Sequence, residues 1–183
     1  QLPQGSAVRR SAAHVGDDIW VSGCLGEAAY ALHLLQRVDC SPIELECLHK
    51  IRHRLERPQP RVALGLALRT HHLSNAMLDV SDGLAGDLMH ILRASNVSAV
   101  LDCDALPLGE FLSALPQAQA WQYALTGGDD YELCFTAPFA HRAQILEIAA
   151  TTHTQLTRVG QIEQGAAKIN WRSELASDVL EQM

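Results

Sequence analysis

Three oxygen-bearing side chains stand together where a short apolar segment gives way to a helical pattern. Asp79, Ser81 and Asp82 follow the apolar run 76–78 and precede Gly83. The hydrophobic period changes from about two to about 3.6 residues across this stretch, which predicts a strand, a turn and a helix. Amides at a helix start attract phosphate, but two carboxylates would repel it unless a cation stood between them. The pattern therefore indicates magnesium and a nucleotide.

Two other interpretations of this turn rest on the same residues. Ser81 or Asp82 could accept a backbone amide as an ordinary helix cap, with no ligand involved. Asp79 at a strand end could be a covalent phosphoryl acceptor, as in haloacid-dehalogenase-type phosphatases. Those enzymes carry the pattern D-x-D-G-T, whereas here the second carboxylate comes one residue later. This spacing argues against a covalent intermediate.

A second acidic loop combines glycines with carboxylates. Gly127 and Gly128 could bring backbone amides and the carboxylates of Asp129 and Asp130 close to a ligand. The alternative is an ordinary turn at the entry to a strand, because glycine and aspartate are common turn residues. The loop alone does not decide between these two interpretations.

Two further pairs of residues carry ligand-binding groups. His49 and His53 have the i, i+4 spacing of a zinc site, but without a third ligand they indicate a solvated helix face. Arg9 and Arg10 have the charge that phosphate contacts need, although an exposed arm would have the same composition. The sequence therefore predicts no zinc site and leaves the arginines open.

Alternating strand and helix patterns position these groups. We predict strands over 19–22, 76–80, 99–102, 131–136, 159–162 and 168–171, and helices after 26, over 41–55, 62–73 and 83–94, and from 138, with weaker helical signals near 111 and 121. The residues predicted to face inward on three helices are Ala28, Ala29, Ala31, Leu32 and Leu35; Ile43, Cys47, Leu48, Ile51 and Leu55; and Phe139, Ile145, Ile148 and Ala149. The sequence Ser41-Pro42-Ile43-Glu44 has a capping-box pattern.

This order predicts an α/β or α+β fold, a mixed β-sheet flanked by helices. Ligands gather at strand ends in such sheets, where Asp79 and Asp129 would lie. We predict an arm or linker over 1–15 and one domain over 16–183, because 183 residues suffice for one core.

Composition excludes several classes of protein. The charged share of 19% and the absence of an apolar run of about 18 residues predict a soluble domain that does not enter a membrane. A net charge of −7 with 14 Lys plus Arg argues against nucleic-acid binding. Five cysteines without a C-x-x-C pair fit a reducing compartment, which predicts a cytoplasmic location.

Taken together, the sequence blocks resemble thiamine-monophosphate kinase, and specifically its C-terminal half. The matching blocks are 10–12, 16–23, 57–61, 79–84 with 87–91, and 125–133. Their combination in this order is specific, whereas any one of them alone is not. The resemblance implies the C-terminal fold of the aminoimidazole-ribonucleotide-synthetase superfamily.

The resemblance also implies an activity and a set of site residues. Such kinases transfer the γ-phosphoryl group of ATP directly to thiamine monophosphate, giving thiamine diphosphate and ADP. By similarity, Asp79 and Asp82 would bind Mg²⁺, Ser81 and Arg10 would contact ATP, and Asp129 would contact the thiamine substrate. No residue is implied as a chemical catalyst.

Two departures from the family pattern affect the substrate side. The family usually has Gly-Gly-Glu-Asp where this chain has 127–130, so the carboxylate of Asp129 is one methylene shorter. The family tail also carries an aromatic residue that faces the thiamine rings, in a Trp-x-Gly-aromatic-x-His-Phe ending. The segment 171–175 keeps only the tryptophan, and Trp171 is therefore a candidate for substrate contact.

The N-terminal half of these kinases supplies further magnesium-binding aspartates, part of the ATP site and the main dimer surface. The resemblance therefore implies a homodimer for the intact enzyme and no turnover by these 183 residues alone. Two alternatives remain: a sister enzyme such as a purine-pathway or selenophosphate synthetase, and a non-catalytic binding or assembly module. The block 127–133 argues against the sister enzymes.

Overall fold

A single mixed sheet organises the part of the chain that the computed structural model describes, residues 5–173. The strands are β1 (Asp18–Ser22), β2 (Ala76–Val80), β3 (Ser98–Asp102), β4 (Glu132–Ala137), β5 (Leu156–Glu163) and β6 (Ile169–Arg172). The helices are α1 (Glu27–Gln36), α2 (Pro42–Glu56), α3 (Val62–Thr70), α4 (Leu84–Ser95), α5 (Glu110–Ser113), α6 (Gln117–Thr126) and α7 (Arg142–Thr151). Two 3₁₀ turns span Cys103–Ala105 and Phe139–His141.

The six strands lie in the order β2-β4-β1-β5-β3-β6. All neighbouring strands run antiparallel except β3 and β6, which run parallel. The predicted mixed sheet flanked by helices is therefore confirmed. The edge strand β2 carries Asp79, which pairs with Leu133 of β4. An edge position leaves one side of β2 open to other groups.

Helices cover both faces of the sheet because side chains alternate between the faces along each strand. Ile19 and Val21 pack with α4 and α6 in one core cluster. Trp20, between them, packs with α3 and α7 in a second cluster on the other face. A third cluster joins α1 to α2 and α6 away from the sheet. Because packed clusters cover both faces of the sheet at β1, every residue of this strand is buried.

Helix α1 buries only part of its predicted inward face: Ala28 and Ala31 are buried, but Leu32 and Leu35 are not. Leu32 and Leu35 are each 39% exposed, whereas Tyr30 and Leu34 are buried. Tyr30 and Leu34 belong to the cluster that includes residues of α2 and α6. Packing against two helices selects this face, and local hydrophobicity alone could not identify it.

Two other predicted inward residues lie at the surface. Ile43 is 80% exposed in the first turn of α2, although Cys47 and Ile51 of the same stripe are buried. The predicted capping box is confirmed, with the Glu44 amide donating to Ser41 Oγ and the Ser41 amide to the Glu44 carboxylate. Phe139 is 65% exposed because it lies in a 3₁₀ turn before α7, where Arg142 covers its ring.

The arm before β1 lies against the domain. The Met77 amide donates to the Arg9 carbonyl at 3.2 Å, which places the arm beside the open side of β2. Further along, Ala13 is buried and its amide donates to Ser95 Oγ at 3.1 Å. The sequence predicted an arm or linker over 1–15, and the described residues 5–13 lie against the domain beside β2 and α4.

Two general features of the chain accompany this fold. All five cysteines are free thiols, and burial raises the pKa of Cys134 and Cys103 to about 12. Over residues 5–173, no helix combines the length and apolar character required to cross a bilayer.

Candidate active site

The strand-to-helix turn predicted from the sequence forms between β2 and α4. Val80 ends β2 inside the core, and Asp79 beside it is exposed. Gly83 has a φ of +105°, and a Cβ there would lie 2.8 Å from the Leu125 carbonyl oxygen. Only glycine fits this conformation without strain, so the sharp turn before α4 depends on it.

The amides of the turn point into the domain and not toward a ligand. The Ser81 and Asp82 amides donate to Oδ2 of buried Asp87 at 2.8 and 3.0 Å. At the start of α4, Gly83 provides no side-chain cap, so the alternative that Ser81 or Asp82 caps this helix is wrong. With its amides occupied, the turn can offer a phosphate only side chains or a bound cation.

The second acidic loop packs directly on this turn. The Asp129 amide donates to the Ser81 carbonyl at 2.9 Å, and the Tyr131 amide to the Val80 carbonyl at 2.8 Å. Asp129 and Tyr131 both have positive φ, 68° and 50°, and the Tyr131 hydroxyl donates to Asp129 Oδ1 at 3.3 Å. The nearby carboxylate of Asp129 raises the pKa of Tyr131. The two acidic loops therefore form one unit.

Asp130, the next residue of the second loop, joins this loop to the start of α1. Its Oδ2 accepts a hydrogen bond from the Gly26 amide at 2.8 Å, just before α1. Burial raises the pKa of Asp130 to about 7, although hydrogen bonds from the backbone of Gly26 and Ala28 oppose this rise. Asp130 thus anchors the loop to α1, while Asp129 next to it remains available to a ligand.

Four of the predicted site residues line one cleft of about 670 Å³. The turn contributes Asp79, Ser81 and Asp82, and the arm contributes Arg10. Because the arm runs beside β2, it places Arg10 in the same cleft as the acidic turn, although the two are far apart in the sequence. His90 of α4 lines the same cleft.

The carboxylates of this cleft fit a hard cation. Asp79 and Asp82 are exposed, and neither side chain has a hydrogen bond or ion pair within residues 5–173. The same described region contains no group of three His, Cys, Asp or Glu side chains placed to hold a metal. Magnesium commonly takes one or two carboxylates and completes its shell with phosphate and water, so this pair fits a nucleotide-bound ion.

Trp171 is not brought to this cleft. It lies on β6, where it pairs with Leu101 and packs against the core. Four strands separate β6 from β2 in the sheet. The tail after it, including the departure at Glu174 and Leu175, lies outside the described residues. Its substrate contact stays a prediction that the position of β6 does not support.

Sequence reasoning missed Asp87 and Glu132, two buried carboxylates that support the site. Asp87 could have been suspected because it is acidic in the first turn of α4. Glu132 accepts two hydrogen bonds from Arg61, at 2.7 and 2.6 Å, and one from Ser22 at 2.5 Å. These partners lie far apart in sequence, so no local pattern indicates the network.

The histidine prediction agrees with the structure. His49 and His53 are both exposed on α2, as expected for a solvated face. His53 Nδ1 lies 2.8 Å from the Lys50 carbonyl within the same helix.

The fold and the cleft together define an α/β domain with an acidic, ligand-sized site at the edge of its sheet. The chain belongs to the family described as AIR synthase related protein, C-terminal domain, whose model matches residues 15–171.

Curated relatives narrow this resemblance. The thiamine-monophosphate kinase of Salmonella typhimurium is 38% identical over 172 residues, covering 93% of this chain and 52% of the relative. That of Bacillus subtilis is 33% identical over 185 residues, covering 100% and 56%. The resemblance predicted from the sequence blocks is confirmed. The chain spans about half the length of the curated relatives that it matches.

Solved structures agree with these relatives. The thiamine-monophosphate kinase of Stenotrophomonas maltophilia K279a has a TM-score of 0.85 and 44% identity, covering 96% of this chain and 56% of the other. AaThiL complexed with AMPPCP and TMP has a TM-score of 0.72 and 29% identity, covering 90% and 50%. PurL of Thermotoga maritima, at 0.64 and 16%, shares the fold.

Proposed function

We propose that this chain is the C-terminal domain of an ATP-dependent thiamine-monophosphate kinase, which makes thiamine diphosphate and ADP. One observation carries the proposal: Arg10, Asp79, Ser81 and Asp82 line one cleft in a chain similar to such kinases. The neighbour AaThiL is complexed with AMPPCP, an ATP analogue, and TMP, which supports these two substrates.

Some residues of the cleft would contact the phosphates of ATP, and others would hold its metal ion. Arg9 and Arg10 both line the cleft, and the resemblance gives the phosphate contact to the Arg10 guanidinium. The Ser81 hydroxyl can donate a hydrogen bond to a phosphate oxygen. Asp79 and Asp82 would hold Mg²⁺. When bound, the ion supplies positive charge that offsets the negative charge of the phosphates. Further ligands would come from water, ATP or residues outside this chain.

Direct transfer needs no nucleophile from the protein. The bond between the γ-phosphorus of ATP and its bridging oxygen breaks, and a bond forms to an oxygen of the acceptor phosphate. A phosphate monoester has a second pKa near 6, so its oxygen is already largely deprotonated at neutral pH. The site therefore works by bringing two anionic groups together and aligning them. This explains why the sequence pointed to no chemical catalyst.

Asp129 would contact the thiamine substrate from the second loop. Its side chain is one methylene shorter than the glutamate usual in the family, and the Tyr131 hydroxyl holds one of its oxygens. The positive φ of Asp129 directs this part of the loop away from the strand geometry of β4. The shorter carboxylate of Asp129 would therefore contact the substrate from a fixed position.

In the cell, the enzyme would be a cytoplasmic homodimer that uses thiamine monophosphate and ATP with Mg²⁺, without nucleic-acid or membrane partners. Its acidic balance of −7 and free thiols support this setting. The dimer surface would lie on sequence that this chain does not include, as the match to about half of each relative supports.

The test is turnover by the product of the complete reading frame. ADP release should depend on both thiamine monophosphate and Mg²⁺ in a coupled assay. Release that instead requires a purine-pathway substrate or selenide would favour a sister enzyme. Calorimetry that detects no magnesium-dependent binding of AMPPCP would favour a non-catalytic module.

A further inference from the structure

A buried ion pair joins the second acidic loop to the start of α3. Glu132 is 2% exposed and is the first residue of β4, directly after the loop. Its two carboxylate oxygens accept hydrogen bonds from Arg61, the residue before α3, at 2.7 and 2.6 Å. A bidentate pair of this kind fixes the orientation of both groups as well as their distance. The pair therefore sets the position of the end of the loop relative to α3.

The end of β1 encloses the same carboxylate. Ser22 Oγ donates to Glu132 Oε2 at 2.5 Å and accepts a hydrogen bond from the Leu133 amide at 2.8 Å. Gly23 follows with a φ of +60°, and a Cβ there would lie 2.0 Å from Glu132 Oε1. The backbone after β1 therefore passes directly against the carboxylate and restricts it to this orientation.

A second ion pair balances the charges around Glu132. Arg54 of α2 lies 3.3 Å from a carboxylate oxygen of Glu27 and 3.9 Å from one of Glu132. Glu27 is also buried, so two buried carboxylates face two guanidinium groups here. Removing one partner of a buried pair leaves the other charge uncompensated. Single substitutions at Glu132 or Arg61 should therefore disturb the structure around them.

The loop before Glu132 has a backbone that needs support from its surroundings. Asp129 and Tyr131 have φ values of +68° and +50°, in the left-handed region that bulky side chains rarely adopt. Such conformations persist only where neighbouring contacts determine them. The amides of both residues bond to the β2–α4 turn, and Glu132 fixes the point at which the loop enters β4. Without the Glu132 contact, one end of the loop would be free to relax.

We infer that Arg61 and Glu132 are positioning residues for the transfer reaction. Their ion pair holds the loop in the conformation from which Asp129 contacts the acceptor, and this inference rests on the proposed function. The oxygens of Glu132 are already occupied by Arg61 and Ser22, so Glu132 acts through the loop and not by contact with a substrate. The acidic turn has separate support, because Asp87 accepts two of its amides. Loss of the ion pair should therefore affect the acceptor more than the nucleotide.

The experiment uses Glu132→Gln and Arg61→Lys in the product of the complete reading frame. Glutamine keeps the size of Glu132 but cannot accept both hydrogen bonds, and lysine keeps the charge of Arg61 but lacks its planar fork. We expect each variant to raise KM for thiamine monophosphate and to lower kcat/KM about tenfold to 100-fold, as small displacements of an aligned group do. The affinity for AMPPCP, measured by calorimetry with Mg²⁺, should stay at the wild-type value.

Another buried ion pair in the same sheet provides the matched control. Asp18, the first residue of β1, is 0% exposed and accepts hydrogen bonds from Arg142 at 2.5 and 2.6 Å. It pairs with Ala137, at the other end of β4 from Glu132. Asp18→Asn should therefore lower the thermal midpoint, as Glu132→Gln should, while KM for thiamine monophosphate stays unchanged. All kinetics are measured well below the lowest midpoint.

A double-mutant cycle tests whether the ion pair acts through Asp129. If it does, Glu132→Gln should add little to the loss of kcat/KM that Asp129→Asn causes alone, because the group to be positioned is already impaired. In a protein that is merely destabilised, the two losses would multiply.

Three results would overturn the inference. They are wild-type kinetics for thiamine monophosphate in both Glu132→Gln and Arg61→Lys, an equal kinetic loss in Asp18→Asn, and losses that multiply in the cycle. If Glu132→Gln does not fold, Arg61→Lys and its cycle with Asp129→Asn decide the question in the same way. A wild-type protein without thiamine monophosphate-dependent turnover would instead refute the proposed function, before any variant is compared.

Discussion

At the residue scale, the site depends on which carboxylates turn outward. Asp87 is 5% exposed and uses Oδ2 to accept the amides of Ser81 and Asp82. Buried backbone amides need an acceptor, and a carboxylate is a strong one. Asp87 therefore holds the turn in the shape that leaves Asp79 and Asp82 free for a ligand.

Asp79→Asn and Asp82→Asn should each reduce kcat/KM about 10²-fold or more, since each removes a charge that the metal needs while keeping the shape. ADP release by the product of the complete reading frame, titrated with Mg²⁺, measures the effect. The folded state should keep its thermal midpoint because both side chains are exposed. Asp39→Asn, an exposed carboxylate between α1 and α2, is the matched control. Normal kinetics in both site variants would sink the metal assignment.

Asp130 predicts a pH dependence of stability. Its pKa rises from 3.8 to about 7 on folding, because burial disfavours the charged form. Between these values the native state holds a proton that the unfolded state has lost. The free energy of unfolding therefore falls as the pH rises from about 4 to about 7, and this contribution is constant above that range.

Asp130→Asn should flatten this slope, since an amide does not titrate and its oxygen can still accept from Gly26. Urea denaturation at several pH values across the range measures the slope, with Glu110→Gln, an exposed carboxylate of α5, as the control. An unchanged slope in Asp130→Asn would show that this carboxyl is ionised in the folded domain.

At the element scale, the β2–α4 turn and the loop before β4 are fitted together through backbone contacts. Gly128 lies so close that a Cβ there would be 2.6 Å from the Ser81 carbonyl oxygen. Gly127 and Gly83 are similarly close to the backbone. A Cβ at Gly127 would lie 2.3 Å from the Tyr123 carbonyl oxygen, and a Cβ at Gly83 would lie 2.8 Å from that of Leu125. The spacing of the two loops, and hence of Asp79 from Asp129, depends on the Gly128 contact, whereas Gly127 and Gly83 fit against α6.

Gly128→Ala should separate the loops, destabilise the domain by about 1–3 kcal/mol and reduce turnover about tenfold to 100-fold. Urea denaturation and the ADP-release assay measure the two effects. Gly86→Ala is the matched control, because Gly86 is helical and a Cβ there meets nothing within 4 Å. It should stabilise the domain by about 0.5–1 kcal/mol and keep activity. Equal behaviour of the two variants would contradict the contact argument.

At the scale of the whole molecule, the cleft lies at an edge of the sheet and is open on one side. The arm supplies Arg10, but within residues 5–173 the cleft would offer the proposed metal ion only the two unpaired carboxylates of Asp79 and Asp82. The relatives are about twice as long as this chain. We therefore expect the catalytic site to be completed by sequence that the relatives have and this chain does not.

These 183 residues alone should show no thiamine monophosphate-dependent ADP release, whereas the product of the complete reading frame should turn over. Circular dichroism confirms that the shorter chain is folded before it is assayed, and the longer protein at equal concentration is the control. Robust turnover by the 183 residues would falsify the expectation of an incomplete site.

The sequence by itself determined the local features of this protein. The change of period at Ser81, the capping box at Ser41 and the strand preceding Gly83 depend on interactions within a few residues, so their patterns are visible in a single stretch. The blocks of resemblance also lie within such stretches. The acidic turn and its candidate ligands Asp79 and Asp82 were accordingly predictable.

The tertiary structure decided everything that depends on contacts between distant segments. It set the strand order that separates Trp171 from Asp79, placed Arg10 across the cleft and buried Tyr30 in α1 in place of Leu35. It also paired the amides of Ser81 and Asp82 with the carboxylate of Asp87. Hydrogen-bond partners and buried faces depend on the neighbours that folding brings together in space, and a local sequence pattern does not identify those neighbours.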